Sequence, residues 1–154
     1  MIRVHKLIAT SLGIGYIGKG GGTVAAAVAA LCWYLVLAGS HVSAIWPLFF
    51  TIAVTLLGCW SGTIVEPYWG KDDKKVVIDE VAGMCVSLLF LPVKPLYVLL
   101  GLVLFRFFDI VKPLFIRRTE QLPGGTGVMM DDVLAGIYTN LLLQIVFYCN
   151  LLPG

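Results

Sequence analysis

The sequence predicts an all-α, polytopic membrane bundle of about four to five helices, preceded by a short N-terminal interfacial or re-entrant segment. Hydrophobic residues make up 59% of the 154 residues and charged residues only 13%, whereas soluble domains are roughly half apolar and about a quarter charged. A soluble protein of this length could not bury so much apolar surface, because its surface is large relative to its volume. Lipid can cover that surface instead. We therefore expect one membrane-embedded domain over residues 1–154.

The apolar stretches define the predicted elements in chain order. Leu7–Ile17 is rich in glycine and too short to span a bilayer, so it predicts the interfacial or re-entrant segment. The residues 81–105 could form one kinked helix, but Pro92 and Pro95 favour a turn between two helices. The five candidate membrane helices are Thr23–Ala38, Ile45–Val65, Val81–Leu91, Leu96–Phe108 and Val133–Leu152.

The charged residues lie almost entirely on one side of this predicted topology. Ten of the eleven Lys and Arg residues fall in the N-terminal arm and the longer connectors, and Lys94 is the exception. The positive-inside rule then makes the charged side cytoplasmic in a multi-pass inner-membrane protein. All nine acidic residues fall on the same side, so the chemistry is expected there. They are Glu66, Asp72, Asp73, Asp79, Glu80, Asp109, Glu120, Asp131 and Asp132.

The first motif is Val77–Gly83, Val-Ile-Asp-Glu-Val-Ala-Gly. Its two acids, Asp79 and Glu80, open a short apolar helix, where a helix N-terminus favours negative charge. They are expected near the lipid headgroups, where an unpaired carboxylate is costly. A divalent cation would relieve that cost, so this pair predicts a functional site rather than a helix cap.

The second motif is Phe105–Pro113, Phe-Arg-Phe-Phe-Asp-Ile-Val-Lys-Pro. Arg106 and Asp109 are three residues apart and share a helix face, and Lys112 repeats the spacing. The pattern is equally typical of an ion pair that marks the membrane boundary and of a functional cluster.

The third motif is Gly124–Gly136, in which a predicted glycine loop leads into Asp131 and Asp132 at the start of an apolar helix. The loop amides, including those of Gly125 and Gly127, could approach an anion closely. The acids could hold magnesium, which prefers oxygen ligands and is often shared with substrate phosphate. The motif echoes the first one, and each acid pair is followed by a glycine that permits close helix packing.

A fourth segment, Gly13–Thr23, is glycine-rich and formally contains GxGxxG. It lacks the preceding strand that nucleotide-binding loops require, so no nucleotide is expected. Lys19 and Thr23, before a helix N-terminus, still predict a phosphate cradle.

Other binding classes receive little support. The chain has no basic stripe interleaved with aromatic residues, so no nucleic-acid partner is expected. His5 and His41 fall on opposite sides of the topology and are expected to be surface residues. A small transporter or channel subunit, with the acids as ion ligands, is the alternative function. The clustering of acids at one end favours a surface-facing site over a pathway.

The three acidic motifs together, in this order and spacing, resemble the phosphatidylglycerophosphatase A family, and the resemblance covers nearly the whole chain. It implies a bacterial inner-membrane hydrolase of phospholipid metabolism that requires magnesium. Such an enzyme removes the terminal phosphate from phosphatidylglycerophosphate to give phosphatidylglycerol. One segment departs from the family pattern: Gly21 stands where a proline is usual, and Ala25 and Ala26 replace a Gly-Ser pair.

The resemblance and the residues together suggest roles for the site. Asp79, Glu80, Asp131 and Asp132 would hold magnesium, and Asp109 would orient Arg106 or join the metal shell. The attacking group would be water or an aspartate carboxylate. The residues expected to bind the substrate phosphate are Lys19, Thr23, Arg106, Lys112, Gly125 and Gly127. The expected partner is a phospholipid in the membrane, and the oligomeric state stays undetermined.

Overall fold

The computed structural model describes residues 1–113, 115–119 and 122–151, and in these ranges every regular element is helical. The predicted all-α class is therefore confirmed. A single 3₁₀ turn at Ile14–Ile17 separates the first two α-helices. The helices are α1 (Ile2–Ala9), α2 (Gly21–Leu37), α3 (Ile45–Trp69), α4 (Ile78–Leu88), α5 (Pro95–Val111), α6 (Ile116–Thr119) and α7 (Gly125–Tyr148).

Helix α4 is central to the bundle and packs against α2, α3, α5 and α7. Its side chains Met84 and Cys85 are buried in a core that includes Phe105 of α5 and Trp33 of α2. Helices α4 and α5 are separate and in contact, which confirms the turn predicted from Pro92 and Pro95. This arrangement brings the N-terminal turn of α4 close to the C-terminal end of α5.

Helices α4 and α7 approach each other most closely at Gly83 and Gly136. A Cβ atom at Gly136 would clash with the carbonyl oxygen of Gly83, and one at Gly83 would lie 2.7 Å from the carbonyl oxygen of Asp132. Small residues allow helix backbones to come this near. The contact holds the two acid pairs at one end of the bundle.

Helix α7 begins earlier than the sequence predicts. The expected glycine loop before residue 133 is already helical from Gly125 onward. The Gly125 amide donates to Thr63 Oγ1 of α3 at 3.0 Å, and a Cβ at Gly125 would lie 2.5 Å from the Thr63 amide nitrogen. Packing against α3 therefore overrides the low helix propensity of glycine. The predicted last residue of this helix, Leu152, lies outside the described residues.

The outer faces of the bundle are apolar. Helices α3 and α7 are each long and apolar enough to cross a membrane, and α2 is a shorter apolar helix. Exposed side chains on the outward surface include Phe49 and Leu56 of α3 and Leu141 of α7. So large an exposed apolar surface is typical of a membrane-facing protein. The number of membrane crossings and the interfacial placement of the N-terminal segment stay predictions.

The N-terminal helix packs against α3 through a histidine. His5 is buried, its Nδ1 lies 3.2 Å from Ser61 Oγ, and its ring packs edge-on against Trp60. The expectation of a surface residue is therefore wrong for His5, because α1 folds back onto α3 rather than lying apart. His41 is exposed, as expected.

Candidate active site

A polar cavity of about 420 Å³ opens where α2 and α4 begin and α5 ends, beside the first turns of α7. Seven acidic and four basic side chains line it, so acidic groups predominate. Its described lining residues are Gly18, Lys19, Gly20, Gly21, Gly22, Asp72, Asp73, Lys74, Val76, Asp79, Glu80, Arg106, Asp109, Lys112, Asp131 and Asp132. The structure thus gathers residues that are far apart in the chain around one space.

Three carboxylates form the inner part of this cavity. One oxygen from each of Asp79, Glu80 and Asp132 lies within 4.8 Å of the others. Asp79 is 6% exposed and Asp132 is 4% exposed, while the Glu80 side chain is 16% exposed. The approach of α4 to α7 places these acids together, because the paired glycines lie about one turn further along each helix.

The hydrogen bonding of the three acids is incomplete. Glu80 Oε2 and Asp132 Oδ2 are buried and have no hydrogen-bond partner among the described residues. Asp79 Oδ1 accepts from the Glu80 amide at 3.1 Å. Three converging carboxylates, two of which have a buried oxygen without a partner, are costly by themselves. The donor set fits a hard divalent cation such as magnesium, which takes carboxylate oxygens.

Arg106 extends from α5 towards this cluster. Its Nη1 atom forms an ion pair with Asp109, one turn further along the same helix, and lies 3.8 Å from Glu80 Oε1. Its Nε is buried without a hydrogen-bond partner among the described residues. Arg106 can therefore still donate to a ligand in the cavity while Asp109 holds its guanidinium group in place.

Asp131 has a different partner from the other acid of its pair. Its Oδ2 accepts from Lys112 Nζ at 2.6 Å, and its Oδ1 accepts from the Asp132 amide at 3.0 Å. Lys112 follows the last turn of α5 with a left-handed backbone, φ 47°, and reaches the cavity from that end. Of the four acids predicted to hold a metal, the structure thus groups three and places Asp131 against a lysine.

The N-terminus of α2 closes another side of the cavity. A Cβ at Gly22 would overlap Glu80 Oε1 and lie 2.7 Å from Glu80 Cδ, so a larger residue here would displace the Glu80 side chain. The glycine segment before it brings Lys19 to the cavity lining. This positions a lysine and a helix N-terminus, both of which favour anions, near the carboxylates.

Three residues predicted to bind phosphate do not line the cavity. Thr23 is exposed on α2. Gly125 is packed against α3, and Gly127 is buried in the first turn of α7, where its amide donates to Gly124 at 3.3 Å. Since the glycine stretch is helical rather than a loop, its amides are engaged in helix formation and packing.

Sequence reasoning also missed part of the lining. Asp72, Asp73 and Lys74 were not among the predicted site residues, yet all three line the cavity. Their connector is anchored by the Val77 amide, which donates to the Ala9 carbonyl at 2.9 Å. Their proximity to Asp79 along the chain was the available signal. Glu66 does not line the cavity, and Glu120 lies outside the described residues.

The comparison with known families decides how this site is classified. The family model described as Phosphatidylglycerophosphatase A matches residues 7–147. The chain belongs to the phosphatidylglycerophosphatase A family. The resemblance predicted from the three motifs is thereby confirmed, and the match includes every site residue discussed above.

Curated relatives support the assignment. The chain is 38% identical to a putative phosphatidylinositol-3-phosphatase of Bacteroides thetaiotaomicron, over 90% of this chain and 91% of the relative. It is 38% identical to a phosphatidylglycerophosphatase A of Haemophilus influenzae, over 66% and 64% of the two chains. A phosphatidylglycerophosphatase A of Escherichia coli is 32% identical, over 85% and 76%. No solved structure matches the chain.

Membership of this family makes the protein a phosphatase, an enzyme that hydrolyses phosphoric monoesters. The prediction of an enzyme is confirmed. The alternative of a transporter or channel subunit is not favoured, because the family match extends over nearly the whole chain.

Proposed function

We propose that this protein is a magnesium-dependent lipid phosphatase that converts phosphatidylglycerophosphate into phosphatidylglycerol and inorganic phosphate. The observation that carries the proposal is the cluster of Asp79, Glu80 and Asp132, with two buried oxygens that lack partners, beside Arg106. The reaction would take place at the cytoplasmic face of the bacterial inner membrane.

The excess of acid in the cavity supports a cation requirement. A phosphate monoester is itself an anion, and the acidic side chains that line the cavity outnumber the basic ones. Without added positive charge the substrate phosphate would be repelled. Asp79, Glu80 and Asp132 would hold magnesium, which when bound would neutralise phosphate charge and lower the pKa of water.

The basic side chains would bind and orient the phosphate. Arg106 has a donor to spare and is held in place by Asp109. Lys112, held by Asp131, and Lys19 would approach the phosphate from two other sides of the cavity. Fixed donors aimed at developing charge stabilise the transition state, in which the oxygen–phosphorus ester bond breaks.

We further propose that water, rather than an aspartate carboxylate, attacks the phosphorus. The water oxygen would form the new bond to phosphorus, and the glycerol oxygen would leave and take up a proton. A nearby carboxylate of the cluster could accept the proton that the water loses. An aspartate nucleophile would instead leave an aspartyl-phosphate, which acid quenching of a single turnover would trap.

The membrane setting suits a lipid substrate. The cavity lies at the end of the bundle from which the charged N-terminal and central connectors extend, and the outer faces are apolar. A lipid phosphate sits at the level of the headgroups, where such an end would lie. The excess of Lys and Arg at this end is what supports a cytoplasmic orientation.

The headgroup is the part of the substrate that needs a direct assay. Two relatives are named for phosphatidylglycerophosphate and one for phosphatidylinositol 3-phosphate. Phosphate release should be measured in detergent on both lipids, on phosphatidic acid and on glycerol 3-phosphate, with magnesium and with a chelator. We expect magnesium-dependent release, fastest from phosphatidylglycerophosphate.

Other outcomes would redirect the proposal. Faster release from phosphatidylinositol 3-phosphate would change the proposed substrate but leave the assignment as a lipid phosphatase intact. Equal rates of phosphate release with and without chelator would show that magnesium is not required. Ion flux in proteoliposomes, with no phosphate release from any lipid, would favour the alternative function of a transporter or channel subunit. Glu80→Gln should lower magnesium-dependent release, because it removes one carboxylate of the cluster. Glu66→Gln, at a glutamate that does not line the cavity, is the matched control and should not lower it.

A further inference from the structure

A second, apolar cavity of about 630 Å³ lies between α1, α2, α3 and α4. Ser11 contributes the one hydroxyl among the described lining side chains, and the remainder are aliphatic, aromatic or thiol groups. The residues that α2 contributes are Ala25, Val28, Ala29, Cys32, Trp33, Val36 and Leu37. This spacing marks one continuous face of the helix.

The apolar cavity begins where the polar cavity ends. On α2, Gly22 lines the polar cavity and Ala25, one turn later, lines the apolar one. On α4, Asp79 and Glu80 line the polar cavity, while the flanking Ile78 and Val81 line the apolar one. Helix α2 therefore passes from one cavity to the other within about 5 Å of axial rise. Helix α4 lines both cavities at the same level, with its acids in the polar one and Ile78 and Val81 in the apolar one.

The dimensions and openings of this cavity match a lipid tail. Its α2 face runs from Ala25 to Leu37, a length of about 18 Å at 1.5 Å per residue. Val36 and Trp46, on the α2 and α3 sides, are both largely exposed, so the cavity opens towards the surface that lipid would cover. A hydrocarbon chain could enter sideways without passing through water.

We infer that the apolar cavity holds an acyl chain of the phospholipid whose phosphate is bound in the polar cavity. The inference rests on the proposed function and deepens it, because it names the residues that select a lipid over a soluble phosphate ester. A chain anchored along α2 restricts the position of its own headgroup next to Asp79 and Glu80. Holding the reacting group near the catalytic residues in this way raises the rate of the chemical step.

The first test narrows the cavity with a large side chain. Cys32→Trp and Val36→Trp place an indole at exposed lining positions of α2, whereas Leu35→Trp places one at an exposed position on the same helix that does not line the cavity. Each variant should be assayed on phosphatidylglycerophosphate with long acyl chains and with four-carbon acyl chains.

We expect both lining variants to lower kcat/KM for the long-chain lipid about tenfold, which is roughly 1.4 kcal/mol, and to change the short-chain value less than about twofold. Leu35→Trp should change neither value. An equal loss on both substrates, or no loss on either, would overturn the inference.

A second readout is independent of hydrolysis. A phosphatidylglycerophosphate with a diazirine at the end of one acyl chain should label lining residues such as Trp46, and Cys32→Trp should reduce that labelling. Phosphatidylcholine with the same diazirine chain is the control for bulk lipid. Equal labelling by the two lipids would overturn the inference.

The two readouts also separate this inference from the proposed function. Labelling of the cavity without phosphate release would overturn the proposed function while supporting the acyl-chain site. Phosphate release with no preference for chain length and no cavity labelling would overturn the acyl-chain site while supporting the proposed function.

Discussion

The two acid pairs of this protein have nearly the same sequence but different surroundings. Asp79 and Glu80 begin α4, and both have an oxygen in the carboxylate cluster. Asp131 and Asp132 lie about two turns inside α7, where Asp132 joins the cluster and Asp131 accepts from Lys112. Adjacent residues on a helix point about 100° apart, so the two acids of α7 meet different partners although both line the polar cavity.

The largest effect is expected from substitution of Asp132, the acid of α7 that belongs to the carboxylate cluster. Asp132→Asn should lower kcat by about 10²- to 10³-fold, because it removes one of three carboxylates from the cluster. It should also raise the magnesium concentration needed for half-maximal activity. Phosphate release against magnesium concentration measures both quantities. Full activity at ordinary magnesium would show that the cluster is not the catalytic centre.

The second-largest effect is expected at the close contact between α4 and α7, which aligns the two acid pairs. Gly136→Ala would place a Cβ against the Gly83 carbonyl oxygen and 3.0 Å from Val86 Cβ, so we expect a loss of about 1–3 kcal/mol in the free energy of unfolding. Thermal unfolding in detergent measures it, with Ile137→Ala at the exposed neighbouring position as the control. Since alanine is the better helix former, a rise in stability would mean that α4 and α7 are less close than described.

Asp131 should matter less than Asp132. Asp131→Asn weakens the ion pair with Lys112 but leaves the three clustered acids in place, so we expect about a tenfold loss of kcat/KM, the effect typical of a supporting residue. Its magnesium dependence should stay close to that of the parent. A large shift in that dependence would place Asp131 among the metal ligands after all.

The Lys112→Met change completes a double-mutant cycle with Asp131→Asn. If Asp131 acts only through its ion pair with Lys112, the double variant should lose little more activity than Lys112→Met alone. Additive losses would mean that they act separately.

The smallest effect is expected at the far end of α4, where it meets the middle of α7. The Asn140 side chain of α7 donates to the carbonyl oxygens of Ser87 and Leu89, where α4 ends, at 3.1 and 2.8 Å. Asn140→Leu should lower stability by about 1 kcal/mol and leave kcat nearly unchanged, because hydrogen bonds inside membrane bundles are individually modest. Thermal unfolding and phosphate release on one preparation test both parts. A large loss of kcat would show that this end also controls the site.

Much of the candidate site could be recognised from residue types and their order along the chain. Asp79, Glu80, Arg106, Asp109, Lys112 and the α7 acids all line one cavity. They were recognisable because charged residues are rare in apolar sequence and each lies near the end of an apolar stretch. The turn at Pro92 and Pro95 was predictable because proline disrupts a helix locally.

The sequence by itself determined the helical class, the family and the set of acids, since these depend on composition, local propensity and motif order. The tertiary structure alone decided which acids meet. It separated Asp131 from Asp132, and it made Gly125 a packing residue against Thr63 instead of part of a phosphate loop. It also brought Gly22 against Glu80. These outcomes depend on how closely two backbones approach and which way a helix faces, and neither is specified within a single segment.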